Sequence, residues 1–111
     1  MNAMKKAHLS SSFILKFPLC FPTMTSEDVL TIRTWYIKEG DSIQADPDVN
    51  PNTDPEKGLL EVIAPYGEIW ISIPPFLTKP HRVTRILILE NETIMLGTPF
   101  IELEPVENEI S

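Results

Sequence analysis

The chain has 111 residues, a length suited to one domain around a single core. Its net charge of −7 excludes a nucleic-acid binder, which needs a basic face against phosphates. Its single cysteine excludes an internal disulfide and a cysteine-caged zinc. Residues 1–12 read as a flexible N-terminal segment. Lys5 and Lys6 precede Phe13, Ile14 and Leu15, but Lys16 and Pro18 break the apolar run and no small-residue cleavage site follows, so a signal peptide is a poor fit. No apolar run approaches the roughly 20 residues that cross a bilayer. A cytoplasmic protein without membrane contact is expected.

Eleven prolines, spread from Pro18 to Pro105, leave little room for long helices. Phe13 to Phe17 reads as a first strand. Thr25-Ser26-Glu27-Asp28 could cap a helix through Val29, Ile32 and Tyr36. Against that, Thr31 to Ile37 is almost wholly β-branched or aromatic, and the strand reading is the stronger. Asp46 to Lys57 is loop chemistry and belongs on the surface. Next come two segments, Leu59–Ile63 and Glu68–Ile73, joined through Ala64-Pro65-Tyr66-Gly67. Ile69, Ile71 and Ile73 alternate there with Trp70 and Ser72, which predicts a hairpin with Tyr66 at its tip and Trp70 facing out. Ile86 to Leu89 reads as a strand buried on both faces.

These segments repeat. Ile32 to Ile43 aligns without gaps on Val83 to Ile94, 51 positions later: a β-rich run, Glu39 or Glu90, Gly40 or Asn91, then an acid, a hydroxyl residue and an isoleucine. Gly and Asn are the residues that most readily take the left-handed conformation of a tight turn. Leu59 to Val62 then matches Phe100 to Leu103 at an offset of 41. The ten extra residues of the first copy fall within Ala45 to Gly58. The second copy crosses the same gap with Met95 to Thr98. Two half-units differing only in a loop predict a pseudo-twofold fold.

Ile14-Leu15-Lys16-Phe17-Pro18, Thr31 to Ile43 and Arg82 to Leu103, in this order and spacing, resemble the biotinyl/lipoyl carrier domain family. The resemblance covers residues 13 to 104, with residues 105–111 as a C-terminal tail. It implies an all-β fold: a flattened β-barrel, or barrel-sandwich hybrid, of two small antiparallel sheets with pseudo-twofold symmetry. It also implies that function centres on one lysine at the tip of the central hairpin, acylated with lipoate or biotin by a ligase. Here that tip is Pro65-Tyr66-Gly67, and no lysine occurs from Gly58 to Thr78. A phenol cannot form the amide. The expectation is therefore a non-enzymatic, lipoyl-like domain without cofactor, binding a protein partner through Tyr66 and Trp70 as a scaffolding module of a multienzyme complex. The alternative is a working carrier of lipoate or biotin modified on Lys79, where Pro80 favours extended backbone rather than a tip turn. Lys38 reads as a solvated surface lysine.

Other chemistry has less support. Asp46, Asp48 and Asn50 match the start of a calcium loop, but Pro51 and Lys57 stand where Gly and Glu are needed. His8 and His81 are isolated, and Cys20 has no nearby histidine to activate it. No metal site and no catalytic residue is expected.

Overall fold

β-branched and aromatic residues alternate with polar ones in short runs, and each run is a strand. The computed structural model describes residues 12–106. Its strands are Phe13–Lys16 (β1), Leu30–Trp35 (β2), Ser42–Ile43 (β3), Leu60–Ala64 (β4), Gly67–Ile71 (β5), His81–Ile86 (β6), Thr93–Ile94 (β7) and Pro99–Pro105 (β8). There is no α-helix among the described residues, only a single 3-10 turn at Pro55–Lys57 in the long loop. The strands form two antiparallel sheets, ordered β1-β8-β6-β3 and β5-β4-β2-β7. The fold is the expected all-β sandwich; the two sheets stay separate rather than closing into one barrel.

Adding four to each strand number, counted around the eight, turns the first sheet order into the second. The registers obey the same rule. Ile32, Thr34 and Trp35 face Val62, Glu61 and Leu60, and their repeat partners Val83, Arg85 and Ile86 face Leu103, Glu102 and Ile101. Both ladders slip at the same place, between Ile32 and Thr34 and between Val83 and Arg85. The outer strands extend the match. Phe13 to Leu15 pair with β8 as Ile69 to Ile71 pair with β4, so Phe13–Pro18 corresponds to Ile69–Pro74.

Reciprocal hydrogen bonds tie the halves. The Gly40 N–H donates to Val83 O at 2.8 Å and the Asn91 N–H to Ile32 O at 2.7 Å. Val83 and Ile32 donate in return to Asp41 O and Glu92 O. Gly40 and Asn91 both have positive φ, 97° and 75°, which the two turns require. The turn carboxylates repeat the exchange: Glu90 accepts the Trp35 N–H at 3.0 Å and Glu39 accepts the Ile86 N–H at 2.9 Å.

Side chains facing inward from both sheets make one core. Ile32 and Val83, Leu60 and Ile101, Val62 and Leu103, and Leu59 and Phe100 are equivalent pairs, all essentially fully buried. Burying each such side chain contributes about 1.5–3 kcal/mol. Trp35 turns inward, stacks on Phe100 with centroids 6.1 Å apart and donates its indole N–H to Ile88 O at 2.8 Å.

Thr25 to Asp28 forms a turn, closed by the Thr25 N–H on the Asp28 carboxylate, and starts no helix, in keeping with the strand reading of the segment that follows. Two details differ from expectation. Ile86 to Leu89 is not a doubly buried strand: β6 stops at Ile86 and Leu89 is 63 % exposed. Its repeat partners, Tyr36 to Lys38, likewise lead into a turn rather than extend a strand, and the Leu89 N–H is held by the Glu92 carboxylate at 2.8 Å. Finally, β8 runs on to Pro105 opposite His81, one residue past the expected domain end. Residues 1–11 and 107–111, most of the expected N-terminal segment and C-terminal tail, lie outside the described residues.

Because Glu39 and Glu90 hold equivalent amides, Glu39→Ala and Glu90→Ala should each destabilise by about 1 kcal/mol. Urea unfolding of the two variants checks this. Losses that differ several-fold would contradict the equivalence.

Candidate functional site

The β4–β5 hairpin has the tightest connection in the chain. Ala64 pairs with Gly67, leaving Pro65 and Tyr66 alone in the loop. Gly67 has φ 133°, a conformation that side chains strain against, so the turn depends on this glycine. Tyr66 is 79 % exposed. Its ring meets the edge of Phe21 from the β1–β2 loop, centroids 5.5 Å apart at 87°, so one side of the tip is packed and the other faces solvent. The apex holds a phenol and no amine.

Lys79 lies elsewhere. It is exposed in the β5–β6 loop, beside the start of β6: its carbonyl meets the His81 ring at 2.8 Å and Pro80 O accepts the Val106 N–H. The turn after β2 bonds Val83 near the start of β6, and the turn after β6 bonds Ile32 near the start of β2, so the starts of the two strands mark opposite ends of the sandwich. Leu30 begins at the Tyr66 end and His81 at the Lys79 end. The structure does not bring Lys79 to the hairpin tip.

Trp70 lies on the outer face of the second sheet, directly opposite Glu61 in the ladder and 37 % exposed. Around it is a cluster that sequence reasoning missed. Glu61 is the one charged residue among the buried ones described, at 8 % exposure. The Tyr36 hydroxyl donates to its Oε1 at 3.2 Å. Arg33 stands 4.0 Å from its Oε2 but binds Glu68 at 2.7 Å. Desolvation and then the hydrogen bond to Glu61 raise the Tyr36 pKa above its ordinary value, while the indole of Trp70 pulls the other way. The signal available in the sequence was a break in the repeat at Tyr36, which corresponds to Leu87. Strand pairing adds that Trp70 corresponds to Ile14, so aromatic residues surround only one of two equivalent glutamates.

The remaining candidates have structural roles. The Cys20 thiol is half-buried, donates to Pro18 O at 3.4 Å, and is pushed up to about 11 by desolvation, which leaves it un-ionised near neutrality. Asp46 and Asn50 accept the N–H groups of Asp48 and Asn52, closing local turns. No group of three or more His, Cys, Asp or Glu able to hold a metal occurs among the described residues. His81 packs edge-on against Phe13, and His8 lies outside the described residues. No described helix is long and apolar enough to cross a membrane. Comparison with protein-family models, curated proteins and solved structures gave no match.

Tyr36→Phe removes the phenol donor from buried Glu61 and should cost about 1–2 kcal/mol in urea unfolding. The folded chain holds the Tyr36 proton more tightly than the unfolded one. That contribution is therefore complete below about pH 10 and is lost as pH rises beyond it. The alkaline loss of stability should be shallower in Tyr36→Phe than in the wild type. Equal slopes would contradict this assignment.

Proposed function

We propose that this chain is a non-catalytic biotinyl/lipoyl-like domain without the acylation lysine, acting in the cytoplasm as a protein-binding or scaffolding module of a multienzyme complex. One observation carries the reading: a two-residue turn, braced by Phe21, presents Tyr66 to solvent where the resembled family presents its modified amine. Exposed tyrosine and tryptophan are residues that anchor protein interfaces, giving large contact area at small entropic cost. Tyr66 and Trp70 both belong to the β4–β5 hairpin, so one element carries both anchors.

The same geometry sets the limits on cofactor chemistry. Lipoate or biotin attaches through an amide to a primary amine, and the tip has no group that fits. The nearest alternative, Lys79, sits at the far end of the sandwich in a loop constrained by Pro80. No acyl-transfer step is assigned to this domain.

Two measurements test the proposal. Protein purified from its native host should give an intact mass with no lipoyl or biotinyl increment; an increment that disappears in Lys79→Arg would establish the carrier reading instead. Tyr66→Ala should weaken binding to a partner recovered with the native chain by at least about tenfold, with the urea midpoint nearly unchanged. Undiminished affinity would remove Tyr66 from the interface.

A further inference from the structure

The two sheets are built to the same plan, so an outer-face position where the plan is broken is the first place to look for a role beyond the frame. On the first sheet, Glu102 is neutralised by Arg85 at 3.0 Å, with Ile14 and Leu87 at the positions flanking it. On the second, the equivalent Glu61 has Trp70 and Tyr36 at those positions, and its nearest guanidinium, Arg33, is engaged by Glu68. Glu61 Oε1 accepts the Tyr36 hydroxyl. Oε2 has only the long 4.0 Å contact to Arg33. No described buried polar atom lacks a hydrogen-bond partner, so Oε2 retains access to the surface. Two carboxylates, Glu61 and Glu68, thus share this face with the two aromatic residues against one guanidinium.

We propose that Glu61, Trp70 and Tyr36 form a receptor for a single cationic side chain, lysine or arginine, from a basic segment of the partner protein. This deepens the reading of the hairpin as a protein contact and rests on it. The charge sits against Glu61 Oε2, and the Trp70 and Tyr36 rings supply cation–π attraction at a partly desolvated site, where it is stronger than on an open surface. A carboxylate held at 8 % exposure needs no further side-chain ordering to accept the ion, so little entropy is lost. The overall charge of −7 favours the encounter with a basic segment.

The test uses the full chain, labelled with 15N, and acetyl-Gly-Lys-Gly-amide, acetyl-Gly-Arg-Gly-amide and the norleucine analogue as probes. The lysine and arginine peptides should shift the Trp70 indole signal saturably, with a dissociation constant on the order of millimolar. The norleucine peptide should not. The Trp35 indole, bonded to Ile88 O, reports that the fold is intact. Glu61→Gln should weaken binding by about tenfold or more. Trp70→Leu, read at the Glu61 amide, should do the same and provides a second variant if Glu61→Gln fails to fold. Tyr66→Ala should leave peptide binding unchanged, because Tyr66 lies at the tip outside this cluster. Absent or equal shifts for the charged and norleucine peptides, or full binding by a folded Glu61→Gln, would overturn the receptor. They would leave the role of Tyr66 to be decided by partner association.

Discussion

Two turns, each donating to a strand of the opposite half, hold this molecule together. Gly40 and Asn91 can give their N–H groups to Val83 and Ile32 only because both adopt positive φ, and each half thereby closes the other's sheet. Glu39 and Glu90 add charge-assisted bonds to the amides where β6 and β2 end. With the axis fixed in this way, the equivalent core pairs face one another. The only freedom left is in the loops, in the hairpin tip and on the outer faces. A domain this small has no second core to support it, so the lock at the axis and the hydrophobic centre stand or fall together.

Function is then best sought in the departures from symmetry. A side chain that the repeated plan requires has a counterpart doing the same job; on the outer faces, one without such a counterpart is where a purpose beyond the frame is best sought. Leu60 and Ile101 are the first kind. Tyr36 and Trp70, set against Leu87 and Ile14, are the second, and so is the hairpin apex at Tyr66. These departures lie on β2, β4, β5 and their connections, all belonging to one sheet and its edge. The first sheet's outer face is more ordinary, with Arg82 paired to Glu104 and Arg85 to Glu102. An asymmetric surface on a symmetric frame is the physical basis of the binding role proposed for the second sheet.

Much of the frame was legible in the sequence, because Ile32–Ile43 and Val83–Ile94 must place the same residue types at the same bends. The Pro65-Tyr66-Gly67 turn was legible for a local reason, proline and glycine being suited to adjacent turn positions. Ile86 to Leu89 was misread since an apolar run carries no periodicity to mark where a strand ends. The match of Phe13–Pro18 to Ile69–Pro74 is not legible in the sequence because the prolines are the only identity across that span, and pairing partners rather than residue types reveal it. Glu61 was hidden more deeply. Nothing local distinguishes a glutamate that will be enclosed by Tyr36, 25 positions away, from one left in water; that burial depends on strand register.

Residue-resolved amide hydrogen exchange on the full chain tests most directly whether the halves lock one another. The amides of Ile32, Gly40, Val83 and Asn91 should share a single protection factor, close to that for global unfolding, since none can open without releasing the other half. Tyr66, at the tip, should exchange far faster. If one half's pair opened independently, with protection lower by on the order of tenfold or more than its counterpart's, the reciprocal lock would be disproved, and with it the symmetry argument that sets Tyr36, Glu61 and Trp70 apart.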